Sequence, residues 1–228
     1  MKITIIQHVS FEVPGLIDEW IKTHHYQCQI IKLFENGYHL PSPETVDFLI
    51  VMVRPMSAND QLPWIQAERM LIRQVVTAGK PMLGVCLGGQ QLAKAFGATI
   101  VPTTKEVGFG PVITSALART RLTTKPKYQV LHWHGEGFTM PSNSEGLFSS
   151  PNWPNQGFQL GSAIGLQFHL ESTPATLGEL VNVDSDFING SVLRESPSQI
   201  LQTKFDPNCK VLLFHILDYL SHFNYNNE

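Results

Sequence analysis

The stretch Lys80-Pro81-Met82-Leu83-Gly84-Val85-Cys86-Leu87-Gly88-Gly89-Gln90-Gln91-Leu92-Ala93-Lys94 decides how this chain is read. Met82 to Val85 form an apolar run of strand length, and Gln90 to Phe96 read as the opening turns of a helix. Cys86 falls at the apex of the turn between them, flanked by Gly84 and Gly88. The pattern Gly-Val-Cys-Leu-Gly has the form of the strand-turn-helix element written G-x-S-x-G, with sulfur in place of oxygen. Glycines there let backbone approach closely while the apical side chain projects. The free N–H groups and positive dipole end of the following helix favour the thiolate, the nucleophilic form of cysteine. A lone cysteine is more often a small apolar core residue. Two glycines at these offsets are hard to explain from the packing of a core cysteine, so Cys86 is read as a candidate nucleophile.

Toward the N-terminus the chain alternates strands with helices. Ile3 to Val9, Gln29 to Phe34 and Val46 to Val53 read as strands, the last apolar enough to be buried on both faces. Leu16, Ile17, Trp20 and Ile21 recur at helical spacing, and Trp64 to Ala78 form an amphipathic helix closed by Gly79 and Pro81. This alternation predicts an α/β fold: an open, mainly parallel twisted sheet flanked by helices, flavodoxin-like, with ligands gathered outside the carboxyl ends of the strands. Arg54 and Cys86 both lie at such ends. Beyond Gly97 the texture changes to short runs broken by glycine and proline, at Gly108 to Thr114, Gln129 to Trp133, Gly137 to Met140 and Phe158 to Leu160. These predict a smaller antiparallel region. Thr176 to Val183 and Lys210 to Phe223 read as helices, the second burying a stripe of Leu212, Leu213, Ile216, Leu217 and Leu220.

Composition bounds the function. With 228 residues, 43% hydrophobic and 15% charged, the chain is expected to form one domain over residues 1–228. A net charge of −3 argues against nucleic acid as a partner. No apolar run reaches membrane-spanning length, and Met1 to Ile6 read as a strand rather than a signal peptide. Cys28, Cys86 and Cys209 are sparse and lack metal-ligand spacing, which fits a reducing compartment, the cytoplasm. Cys28 and Cys209 are read as packed thiols. His132 and His134 share a strand face without a third ligand in sequence, so no metal is expected, and no cofactor.

A second landmark is Ile164-Gly165-Leu166-Gln167-Phe168-His169-Leu170-Glu171-Ser172-Thr173, read as a strand ending in His and Glu two residues apart. Cysteine attack on a carbonyl needs a proton acceptor that later becomes a donor, and histidine is the usual agent near neutral pH. On a strand His169 and Glu171 would face the same side, with Glu171 orienting the imidazole as third member of a triad. Taken singly, each is more often a structural histidine or a solvated carboxylate. Together with Cys86 they carry the functional reading.

Three segments, Gly84-Val85-Cys86-Leu87-Gly88-Gly89-Gln90, Phe168-His169-Leu170-Glu171 and Pro55-Met56-Ser57, carry a family resemblance. Lys105-Glu106-Val107-Gly108-Phe109, His132-Trp133-His134-Gly135-Glu136 and Ser149-Ser150-Pro151-Asn152 follow in the expected order. On these the chain resembles the class I (triad) glutamine amidotransferases, in particular the amidotransferase domain of GMP synthase, in a stand-alone form. The resemblance implies that Cys86 attacks the side-chain amide of glutamine, with His169 as acid and base and Glu171 holding it. Ammonia leaves, and a γ-glutamyl thioester is hydrolysed to glutamate. It also implies an oxyanion site at the N–H groups of Leu87 and Arg54, and a glutamine site at Gln90, His134, Gly135 and Glu136, with Glu136 at the α-amino group. No ATP-pyrophosphatase-like segment is seen, so the chain is expected to hydrolyse glutamine either alone or as the supplier of ammonia to a separate synthetase subunit. Arg54 stands where the family usually has glycine, and Glu136 where it has aspartate. These departures favour an alternative, hydrolysis or transfer of other γ-glutamyl amides or peptides by the same triad; a catalytically silent binding module is the third reading.

Overall fold

The computed structural model of the chain describes residues 1–53 and 56–223. In chain order the strands are β1 (Lys2–Gln7), β2 (Gln27–Lys32), β3 (Phe48–Val51), β4 (Met82–Val85), β5 (Ile100–Thr114), β6 (Lys127–Phe138), β7 (Glu145–Ser149), β8 (Gly157–Leu160) and β9 (Ala163–Leu166). The helices are α1 (Leu16–Thr23), α2 (Pro63–Thr77), α3 (Leu87–Ala95), α4 (Ala116–Arg121), α5 (Pro174–Asp184), α6 (Pro197–Gln202) and α7 (Pro207–Ser221).

Among the described residues the strands join one sheet in the order β2-β1-β3-β4-β9-β8-β7-β5-β6. The first five are parallel, in the flavodoxin-like order the alternation predicts. Every residue of β3, β4 and β9 is buried, which is why those segments read as unbroken apolar runs. At the edge, β2 buries Ile31 alone, and Cys28 on it is exposed rather than packed as expected. Cys209 is buried. The four remaining strands run antiparallel as a continuation of the same sheet. The segments expected as two strands at Gln129 and Gly137 are one strand, β6, which pairs with β5 along its length apart from a register shift at Gly135, between Pro102 and Glu106 of β5. The predicted apolar stripe of α7 is buried against Trp20 and the parallel strands. Trp20 also donates its indole N–H to Asp218 at 2.7 Å.

Two local expectations are corrected. The helix after Cys86 starts at Leu87 rather than Gln90, so strand passes to helix through Cys86 alone. A β-carbon on Gly88 would stand 2.0 Å from the Val51 carbonyl oxygen, and one on Gly84 would stand 2.4 Å from the Gly88 carbonyl oxygen. The glycines are therefore required by close approach of α3 to β3 and β4, while the positive φ of the turn falls on Cys86 itself (φ 49). Second, β9 ends at Leu166, and His169 and Glu171 lie beyond it, so strand alternation is not what aligns them. His169 is instead pinned by its N–H to the Leu131 carbonyl of β6 at 2.9 Å. Glu171 folds back to accept from the Leu170 N–H at 3.0 Å.

Candidate active site

Cys86 caps the N-terminus of α3 with φ 49 and ψ −102, a strained conformation for a residue with a side chain. Its N–H bonds to the Leu166 carbonyl at 2.8 Å and its carbonyl accepts from Gln90 at 2.9 Å, so β9 and α3 hold the strained residue in place. Leu87 opens α3, and its N–H belongs to the first turn, whose donors have no acceptor within the helix.

The His169 ring donates through Nδ1 to Glu171 Oε1 at 2.8 Å, in surroundings where both side chains are buried. Burial alone would lower the histidine. The Glu171 charge, with the Cys86 and Glu171 side chains as hydrogen-bond partners, outweighs it and raises His169 well above its ordinary value. Nδ1–H bound to a carboxylate leaves Nε2 as the working nitrogen, and Nε2 is buried without a hydrogen-bond partner of good geometry among the described residues. The Glu171 backbone is fixed in turn: its carbonyl accepts from the Leu16 N–H at 2.8 Å, and a β-carbon on Gly15 would lie 2.2 Å from that oxygen.

Cys86 and His169 face one cavity of about 360 Å³ at the carboxyl ends of the parallel strands. Of the residues expected to bind substrate, Leu87, Gln90, His134, Gly135 and Glu136 all line it; Arg54 lies outside the described residues, though Val53, Met56 and Ser57 near it in sequence also line the cavity. Glu171 stands behind His169, away from the cavity. Gln90 spans the floor, donating to the Glu136 carbonyl at 3.3 Å and to Gln167 Oε1 at 3.2 Å. Glu12, Lys105, Asp184 and Phe187 also line the cavity; Lys105 opens one of the segments that carry the family resemblance, and the other three were not singled out in the sequence. Lys105 lies over the Phe187 ring at 4.5 Å, and Asp184 accepts the Trp133 indole N–H at 2.9 Å.

Beside the cavity, which His134 lines, is a buried polar group that revises one premise. His132 and His134 do share a face of β6, but Glu106 of β5 supplies a third ligand-type side chain, and the three place ligand atoms within 4.8 Å of one another. The carboxylate is already engaged: Ser150 and Gln156 donate to Oε2 at 3.0 and 2.6 Å, and Asn152 donates to Oε1 at 2.9 Å. Three donors occupy most of the carboxylate's roughly four lone-pair positions, while both ring nitrogens of His132 and Nδ1 of His134 are buried without a hydrogen-bond partner among the described residues. Burial pushes Glu106 up against these hydrogen bonds. His134 is pushed well below its usual value by burial and then by the charges of His132 and His169. His132 falls to about 3, chiefly by burial and then by the His169 charge, against a weaker pull from the Gly110 backbone.

The glutamine amidotransferase class-I family model matches residues 17–184, which include Cys86, His169 and Glu171. The chain belongs to the class I glutamine amidotransferases. Among curated relatives of this amidotransferase is the glutamine amidotransferase-like protein YfeJ of Salmonella typhimurium, 29% identical over 191 residues, which cover 79% of this chain and 80% of the relative. The GMP synthase (glutamine-hydrolyzing) of Thermomicrobium roseum is 30% identical over 78% of this chain, and the match spans 33% of that longer protein. Among solved structures, a glutamine amidotransferase from Thermotoga maritima superposes with a TM-score of 0.87 at 25% identity, covering 97% of this chain and 98% of that one. One from Methylobacillus flagellatus gives 0.86 at 26% identity, covering 96% and 93%. Among the described residues no helix is long and apolar enough to cross a membrane.

Proposed function

We propose that this amidotransferase hydrolyses the side-chain amide of glutamine through a γ-glutamyl thioester on Cys86. The observation that carries the reading is that a cysteine held at φ 49 on a helix N-terminus shares a cavity with a histidine bound to a carboxylate at 2.8 Å. His169 takes the thiol proton through Nε2 and delivers it to the departing ammonia; water then attacks the thioester with His169 as base. Glu171 fixes the ring and stabilises its charged form. The Leu87 N–H, with Arg54 as a second donor, receives the oxyanion, where loss of one donor typically costs about 10²–10³ in turnover. Gln90, His134, Gly135 and Glu136 line the substrate side, Glu136 as charge partner of the α-ammonium group.

In this reading residues 1–228 act as one amidotransferase unit and pass ammonia to a separate synthetase subunit, as the likeness to part of a glutamine-hydrolysing GMP synthase supports. Sparse, unpaired cysteines, one of them exposed, favour the cytoplasm. The test is glutamate release from glutamine, with Cys86→Ala as control and mass-spectrometric trapping of the acylated Cys86 peptide. Turnover that survives Cys86→Ala overturns the mechanism. A second reading, γ-glutamyl amides or peptides as substrates, is favoured by the cavity reaching Lys105, Asp184 and Phe187, and by its volume of about 360 Å³, within the range of sites for larger ligands. It predicts that such compounds are turned over faster than glutamine.

A further inference from the structure

Gln167 follows β9 directly and is fully buried. Its backbone N–H is held by the Gln156 carbonyl at 2.9 Å. Its side-chain Oε1 accepts from Gln90 Nε2 at 3.2 Å, and its Nε2 points at Cys86 Sγ, 3.5 Å away. The orientation of the amide is set by this chain of bonds. Gln90 Nε2 can only donate, to Gln167 and to the Glu136 carbonyl, so oxygen must face Gln90 and the N–H₂ group must face sulfur. Sγ also meets the Trp133 carbonyl at 3.9 Å, an acceptor to which only the thiol form can donate, and the His169 side chain, which has Cys86 as a hydrogen-bond partner. A donor aimed at sulfur favours the thiolate, because a thiolate accepts a hydrogen bond far better than a thiol.

We propose that Gln167 is a further catalytic residue, whose side-chain N–H stabilises the Cys86 thiolate and ties it to Gln90 on the substrate side. The proposal rests on the reading of Cys86 as nucleophile. When Cys86 attacks, the sulfur electron pair forms the S–C bond and the carbonyl π pair moves to oxygen, so the hydrogen bond from Gln167 weakens. In deacylation water adds to the thioester carbon and gives its proton to His169. The S–C bond then breaks, and its electron pair returns to sulfur beneath the waiting N–H. Gln167 thus favours the free thiolate and its departure from the acyl intermediate.

The experiment compares the parent, Gln167→Met and Gln167→Glu in a Cys28→Ser background, since Cys28 is an exposed free thiol. Alkylation of Cys86 by iodoacetamide is followed by peptide mass against pH, beside glutamate release and thermal midpoint. Methionine keeps the bulk without a donor; glutamate keeps the shape and removes the N–H. Both variants should alkylate about tenfold to a hundredfold more slowly at neutral pH, the effect of losing one hydrogen bond to a charged group. Unchanged alkylation profiles in whichever variant retains the parent's thermal midpoint overturn the proposal. If Cys86→Ser is inactive and the Gln167 variants alkylate normally, the proposal falls alone; if Cys86→Ser retains turnover, the nucleophile reading falls and takes the proposal with it.

Discussion

Gly88→Ala places one methyl group where α3 rests on β3. The new β-carbon would stand 2.0 Å from the Val51 carbonyl oxygen, 2.7 Å from its carbon and 3.0 Å from the Val51 side chain. Ordinary contact begins at 3.4 Å, so the helix must move away from the strand by about 1.4 Å, and the obstructing atoms are backbone that cannot rotate aside. Inserting a methyl into such packing costs about 1–3 kcal/mol or more, less the roughly 0.5–1 kcal/mol that alanine recovers over glycine in a helix. At about 2–4 °C per kcal/mol for a chain of this size, calorimetry should show the melting temperature falling by several degrees. Because α3 carries Cys86, Leu87 and Gln90, glutamine turnover should fall about a hundredfold, the usual effect of misplacing reacting groups by about 1 Å. Gly178→Ala is the matched control: it lies in α5 with nothing within 4 Å of the new carbon, and should stabilise by about 0.5–1 kcal/mol. A Gly88→Ala protein as stable and as active as the parent would refute the account of this turn.

Three further outcomes are expected. Glu171→Gln removes the charge that most raises His169, while burial remains, so the His169 ring titration followed by NMR should move down. Glutamate release should drop about 10²–10⁴-fold, and an unmoved titration would refute the pairing. His132 has a folded-state value of about 3 against 6.5, so between these values the unfolded chain binds more protons and stability falls as pH falls. Between pH 7 and pH 4 this histidine alone accounts for roughly 3 kcal/mol, and His132→Leu should flatten that limb of a urea-unfolding series by a comparable amount. Trp133→Phe loses the 2.9 Å hydrogen bond to Asp184 at the cavity wall, and should raise KM for the substrate with little change in kcat.

Much of the site was legible because its chemistry sits in short segments. Glycines two residues either side of Cys86 mark the turn whatever the rest of the chain does, and a His-x-Glu segment is conspicuous on its own. Where local reasoning went astray, the cause was a distant neighbour. The helix after Cys86 begins early because Gly88 and Gly89 fit against β3 and β9, although glycine is a poor helix former in isolation. His169 and Glu171 meet outside any strand, because β6 pins one backbone and α1 the other. Cys28 was misplaced because exposure on an edge strand depends on which strand is outermost.

By itself, then, the sequence determined the alternation of strands and helices, the parallel sheet, the position of the cysteine turn and the identity of the three residues read as a triad. Those features depend on periodicity and on backbone sterics within a few residues. Only the tertiary structure decided that Gln167 bonds to the sulfur, that Glu106 joins His132 and His134, and that Lys105, Asp184 and Phe187 close the cavity. Each of these is a contact between strands or helices far apart in the chain, and burial and charge at such contacts are set by the partners that folding supplies.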